Sequence, residues 1–185
     1  MENLYQMNTR EKLEEIALKI VEKFRKYGDA FDGVQFDTPL LGYMDRIQFD
    51  IIGLVQVVAT AMGEVEKDTI VSLHADSVHN KLNPKHYEKV FRMVEKVIIM
   101  TYDYQPSGGS QEYPISPYNW VKKNIDNFFD NMELDEKMIS KKLMMGIPFY
   151  GYELDFKKGA RNAIVNHQIL DKFRAQTDKF TVEWN

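Results

Sequence analysis

Apolar positions along the chain switch repeatedly between a helical and a strand-like period. Leu13, Ile16, Ala17, Ile20 and Phe24 recur at helical spacing, with Asn8 and Glu11 as an opening pair and Gly28 where a helix would end. A short strand-like run follows from Phe31 to Asp37 and stops at Pro39. A second helical stripe carries Ile47, Ile51, Leu54, Val55, Val58 and Met62, closed by Gly63. Thr69 to Ala75 reads as a strand, Asn83-Pro84 as a helix start, and Tyr87, Val90, Phe91 and Val94 as that helix's buried side. Val97 to Tyr102 predicts a third strand. After a loop from Pro106 to Pro114, a helix opens at Ser116-Pro117 and bears Trp120, Val121, Ile125 and Phe128. Leu143 to Tyr150 predicts a fourth strand, followed by a polar stretch, a helix around Ile164 to Phe173 and a short extended piece at Thr181 to Trp184.

Short apolar strands alternating with helices predict βαβ units around a parallel sheet, since a parallel sheet has both faces covered. The 185 residues fit one domain. Hydrophobic residues make up 44% and aromatics 12%, enough to bury a core. The 24 basic and 28 acidic residues leave a charge of −4 and a pI near 5.6. That balance argues against a nucleic-acid partner, which needs a basic face to release counterions. The absence of cysteine removes disulfides, thiolate metal sites and a cysteine nucleophile. No apolar run approaches the roughly 20 residues that span a bilayer, and no secretory signal pattern stands at the N-terminus.

Phosphate-binding glycine loops, a nucleophile elbow and the H-E-x-x-H zinc motif are all absent. His74, His79, His86 and His167 are scattered and lack the convergence a metal site needs. The sequence therefore implies no metal and no cofactor.

Two segments carry more information. In Phe31 to Pro39, alternation puts Gly33, Gln35, Asp37 and Pro39 on one face of a strand, and Val34 and Phe36 on the other, towards covering helices. Polar residues on the inward face of a parallel strand call for a hydrogen-bonded network or a ligand. In Met100-Thr101-Tyr102-Asp103-Tyr104, the Met and both Tyr share a face, and Asp103 falls where strand becomes loop. Rings beside a carboxylate suit a sugar, whose apolar face stacks while its hydroxyl or amide hydrogens are accepted. By spacing alone, buried core tyrosines with a loop-capping aspartate are the better reading.

These two segments, followed by Lys142-Leu143-Met144-Met145-Gly146-Ile147-Pro148-Phe149-Tyr150-Gly151, resemble glycoside hydrolase family 18, the chitinases and their inactive chitinase-like relatives. The order agrees: an F-D-G strand, then M-T-Y-D, then L-x-G-I-P-F-Y-G. The resemblance runs from about Leu13 to Trp184. It implies an α/β fold, a partial (β/α) TIM barrel of about four βα units, with the first three strands and the eighth missing. A whole barrel takes about 250 residues. Residues 1–185 are then one barrel fragment, with 152–185 the start of the family's insertion. An open sheet with an uncovered inner face implies self-association or a missing barrel half as partner.

Active relatives carry D-x-x-D-x-D-x-E on the fourth strand. Its glutamic acid protonates the leaving oxygen while the substrate's own acetamido group attacks, a substrate-assisted exception to the two-carboxylate scheme. On that alignment Asp32 holds the first place, Gln35 replaces the second acid, Asp37 keeps the third, and Pro39 stands in the proton donor's place. Proline has no proton to give, and general acid catalysis is worth about 10²- to 10⁴-fold. The resemblance thus implies no catalytic residue, but a substrate-binding set of Gln35, Asp37, Tyr102, Asp103 and Tyr104 for an oligosaccharide containing N-acetylglucosamine. It implies a secreted or lumenal (lysosomal) location. Two alternatives stay open: a glycosidase with a displaced acid, such as Asp103 or Glu112, and a protein-interaction or structural role.

Overall fold

The computed structural model describes residues 10–27, 30–38, 45–75, 84–106, 113–130, 133–175 and 181. Two compact units divide the chain, residues 1–100 with 122–145, and residues 101–121 with 146–185.

The first unit is built on the expected sheet. Strands β1 (Gly33–Thr38), β2 (Asp68–His74), β3 (Lys96–Met100) and β4 (Leu143–Gly146) lie side by side in sequence order. The pairs β1–β2 and β2–β3 are parallel, with Asp37 opposite Ser72 and Ser72 opposite Ile98. Helix α1 (Arg10–Tyr27) precedes β1, α2 (Asp45–Gly63) connects β1 to β2, and α3 (Pro84–Met93) connects β2 to β3. The fold is thus a partial barrel of the α/β class, as the sequence predicts.

Alternation sorts the strands' two faces. Val34 and Phe36 point to the helices and pack on Ala17 and Val21 of α1 and Val58 and Met62 of α2. Val71, Leu73, Val97 and Ile99 continue that layer and are fully buried. On α3, Tyr87, Val90 and Phe91, with Val94 just beyond, form the buried stripe. Each such large apolar side chain contributes about 1.5–3 kcal/mol on burial. Gly33 is required by proximity: a Cβ there would stand 2.2 Å from the Asp68 carbonyl oxygen. The glycine of the F-D-G run is therefore what lets β1 approach β2.

Helix α4 (Tyr118–Asp130) follows the Ser116-Pro117 signal. The sequence reading misses α5 (Glu136–Lys142), a two-turn helix with one buried residue, Ile139, and an N-cap, Asp135, whose Oδ1 accepts from the Lys137 N–H at 3.0 Å. Seven residues are too few to display a period. Lys142 ends α5 and donates through Nζ to the carbonyls of Phe91 and Val94 at 2.8 and 2.7 Å, closing the C-terminus of α3.

The second unit departs from expectation. Leu143 to Tyr150 is not one strand: β4 stops at Gly146, and Pro148, which has no N–H for a ladder, lies in the break. The polar stretch after it is an antiparallel hairpin of β5 (Tyr150–Asp155) and β6 (Ala160–Val165). Its turn is fastened by Asp155 Oδ1, which accepts from the N–H groups of Lys157 and Lys158, and by Gly159 at φ 61°. The last helix, α6, consequently starts later than predicted, at Asn166, and runs to Ala175. The extended piece expected at 181–184 lies outside the described residues, except Thr181. Among the described residues no helix is long and apolar enough to cross a membrane.

Candidate functional site

Each unit holds part of the expected set. On β1, Gln35 and Asp37 are exposed, on the face opposite Val34 and Phe36. Gln35 Nε2 donates to Ser72 Oγ at 2.7 Å, and Thr38 Oγ1 donates to the Ser72 carbonyl at 2.5 Å. Gln35 thus joins a polar network on the sheet, and Asp37 leaves its carboxylate in solvent. Pro39, His79 and Glu112 lie outside the described residues. Among those described, no group of three or more His, Cys, Asp or Glu is arranged to hold a metal ion.

The second unit gathers Tyr102, Asp103 and Tyr104 with residues that the sequence reading left out. Three hydrogen bonds hold the segment. Thr101 Oγ1 donates to the Gly146 carbonyl at 2.8 Å, Ser116 Oγ to the Thr101 carbonyl at 2.5 Å, and the Tyr104 N–H to the Ile115 carbonyl at 3.0 Å. Between these pins Asp103 takes a left-handed conformation at φ 59°. That region is uncommon for a residue with a Cβ, and aspartate tolerates it better than most.

Alternation along the hairpin decides what meets that aspartate. Tyr150, Tyr152 and Leu154 on β5 share a face with Arg161, Ala163 and Val165 on β6. The hydroxyls of Tyr150 and Tyr152 both donate to Asp103 Oδ1, at 2.7 and 2.8 Å. No described residue hydrogen-bonds Oδ2. Burial, then the bond to Asp103, pushes the Tyr150 hydroxyl far above its ordinary pKa. For Tyr152 the order reverses: the Asp103 bond leads and burial follows. Both phenols therefore stay protonated donors at any physiological pH.

The rings continue outward from Asp103. Tyr102 meets Tyr150 edge-on at 6.4 Å between centroids, and Tyr150 meets Tyr152 at 5.9 Å. The Arg161 guanidinium lies between two rings, 3.8 Å from the Tyr152 centroid and 4.1 Å from that of Tyr113. Tyr113 stands against Tyr104, which packs on Trp120 at 5.3 Å. Trp120 thus serves packing, as its helical position suggests. Phe149, which precedes β5, is 79% exposed. Tyr113, Tyr152 and Arg161 are separated by up to 48 positions in sequence, counting from 113 to 161, so no local spacing announces them. The signal that could have revealed Arg161 is the hairpin itself, through the Asp155 to Gly159 turn.

A family model described as glycosyl hydrolases family 18 matches residues 2–184. Among curated proteins, the chain is 27% identical over 139 residues to a protein named uncharacterized glycosylase YvbX of Bacillus subtilis, covering 73% of this chain and 38% of that one. Among solved structures, ydhD of Bacillus subtilis superposes with a TM-score of 0.72 at 17% identity, over 92% of this chain and 55% of the other. A mutant of catalytic domain 2 of the Ostrinia furnacalis group II chitinase, solved with bound (NAG)5, gives a TM-score of 0.56 at 18% identity, over 86% and 45%. The chain spans about half the length of these solved chains, and less than half of YvbX.

Proposed function

The chain belongs to glycosyl hydrolase family 18, and on that premise we propose that it is a chitinase-like protein that binds N-acetylglucosamine oligosaccharides without hydrolysing them. The observation that carries this reading is Asp103. Two tyrosine hydroxyls fix one carboxylate oxygen, and the other has no hydrogen-bond partner among the described residues. A carboxylate so oriented accepts an amide N–H or a sugar hydroxyl, and a charge-assisted bond of that kind is stronger than a neutral one. Tyr102 lies alongside and offers a ring to the apolar face of a pyranose. Gln35 and Asp37 belong to the same proposed binding set, Asp37 as an acceptor for the acetamido group. Tyr104 shapes the loop through Tyr113 and Trp120. The bound (NAG)5 of the Ostrinia furnacalis neighbour supports the ligand class.

The absence of turnover rests on the sequence. Gln35 and Pro39 replace two acids of the family pattern, Pro39 at the position of the proton donor. Asp37 sits two residues short of that position on a strand and has a shorter side chain than glutamate. Within the family, the M-T-Y-D-Y run and Asn119-Trp120-Val121 support kinship with chitinase domain-containing protein 1. On the same reading the protein is secreted or lumenal, 152–185 begins the family's insertion, and a second copy or the remaining barrel half covers the open sheet.

The test is a thermal melt with and without chitotetraose at two protein concentrations, beside a chromogenic chito-oligosaccharide assay. The expected result is a melt that rises with sugar, by about 2.7 kcal/mol of stabilisation at a hundred times the dissociation constant. The rise should be lost in Asp103→Ala, with no chromophore released by either protein. A melt indifferent to sugar would overturn binding; steady release by the wild type would overturn the claim of inactivity.

A further inference from the structure

Arg161 is a guanidinium with two ring partners and no acceptor among the described residues. Its Nε is buried and makes no hydrogen bond. None of the ion pairs among the described residues includes it. Stacking between Tyr113 and Tyr152 satisfies the faces of the guanidinium through cation–π attraction, but it satisfies no N–H. The N–H groups radiate from the edge of that plane, and Arg161 lines a pocket of about 220 Å³ whose walls also include Tyr113, Pro114, Ile115, Tyr152 and Leu154. Ligand pockets for whole drug-sized molecules run to roughly 300–1,000 Å³. This one takes a single substituent or one sugar ring.

A half-buried cation without a counter-charge is costly unless something pairs with it. The planar fork is the group best matched to a carboxylate, which it holds with two parallel bonds. Tyr152 joins this pocket to Asp103, since its hydroxyl serves the aspartate while its ring carries the arginine. We propose that Arg161 and its pocket form a subsite for a sugar carboxylate, so that the ligand is an acidic oligosaccharide of N-acetylated amino sugars rather than plain chitin. This rests on the sugar-binding reading above and narrows it. Two chemistries supply such a group, a lactyl ether on the amino sugar and a neighbouring uronic acid.

The experiment compares calorimetric affinities of the full chain for four sugars. Chitobiose and the disaccharide of N-acetylglucosamine with N-acetylmuramic acid differ by the lactyl group; chitotetraose and a hyaluronan tetrasaccharide differ by the uronates. At least one acidic sugar should bind about ten- to a hundredfold more tightly than its neutral counterpart, the worth of hydrogen bonds to charged groups. Which one gains identifies the carboxylate. Arg161→Gln should erase the margin between each acidic sugar and its neutral counterpart, and added salt should shrink it in the wild type. Arg161→Lys, with charge but no fork, should keep only part of it, and it decides the case if Arg161→Gln melts early. Neutral sugars bound with no acidic preference, or a preference that survives in both variants, would overturn this inference and leave sugar binding standing. No binding of any of the four would overturn both.

Discussion

Asparagine in place of Asp103 is a nearly isosteric change that removes only the charge. Asparagine accepts the left-handed backbone that residue 103 occupies at φ 59° as readily as aspartate does, so the loop itself is not strained. Its amide oxygen can still receive the hydroxyls of Tyr150 and Tyr152, now 2.7 and 2.8 Å from Oδ1. What changes is the strength of two bonds. A hydrogen bond to a charged group contributes about 1.5–3 kcal/mol, against about 1 kcal/mol for a neutral pair. Two bonds weakened from one class to the other give a loss of about 1–4 kcal/mol. Partial solvent access at these half-buried residues moves the expectation to the lower end, about 1–2 kcal/mol. Urea denaturation at neutral pH measures it, as a fall in midpoint at constant slope.

A second readout separates this cause from general loosening. Tyr152 owes its raised pKa first to the Asp103 bond, whereas Tyr150 owes its own first to burial. In Asp103→Asn an ultraviolet titration of the phenolates should show Tyr152 returning towards its ordinary value and Tyr150 remaining raised. Asp103→Ala serves as contrast: it loses both bonds outright, and with them the short polar side chain that lets aspartate or asparagine tolerate left-handed backbone, so its loss should be the larger. An Asp103→Asn protein within about 0.3 kcal/mol of wild type, with the two titrations unmoved, would show that the tyrosines do not serve this carboxylate, and the proposed site would fall with it.

The same tyrosines set an alkaline limit. Both have folded-state pKa values above the unfolded one, so their contribution is complete below about pH 10 and is lost as pH rises beyond it. Melting temperatures between about pH 9 and pH 11 should fall more steeply in wild type than in Tyr150→Phe. Parallel curves would refute the linkage. Gly33→Ala should cost about 2–3 kcal/mol or prevent folding, because its Cβ would meet the Asp68 backbone rather than a movable side chain; a near-neutral urea midpoint would contradict the strand spacing. Lys142→Met keeps the apolar stem but removes the donors to the Phe91 and Val94 carbonyls. The expected loss is about 1–2 kcal/mol, with faster amide exchange at the end of α3 as the local sign; unchanged exchange there would count against this closing role.

The sheet unit was legible because its helices cover it. Val34 and Phe36, and the stripe of Tyr87, Val90 and Phe91, show the periods of 2 and 3.6 that one-sided burial imposes. The β5–β6 hairpin was not legible. Every residue of β5 is half-buried, so no clean alternation marks it, and the lysines of its turn mask the Asp and Gly that make it. The site divides in the same way. Asp103 was found because it ends a strand beside aromatics. Arg161 was missed because a cation between two rings depends on residues distant in sequence, and composition alone reads such an arginine as solvated surface.

On the proposed reading, that division bears on how binding would outlast catalysis. The family's acids sit along the strand that here carries Gln35 and Asp37, and a substitution there acts on proton transfer. The groups that fix Asp103 come from other stretches of chain: Tyr150 and Tyr152 from β5, and the pins of its loop from Thr101, Ile115, Ser116 and Gly146. All of these belong to one compact unit. None of these partners lies on the strand that carries Gln35 and Asp37. On the reading proposed above, loss of the proton donor would end turnover while the hydrogen bonds that hold Asp103 stayed in place. Such a chain would keep the carboxylate that we propose faces the sugar, and selection for binding alone would preserve that arrangement.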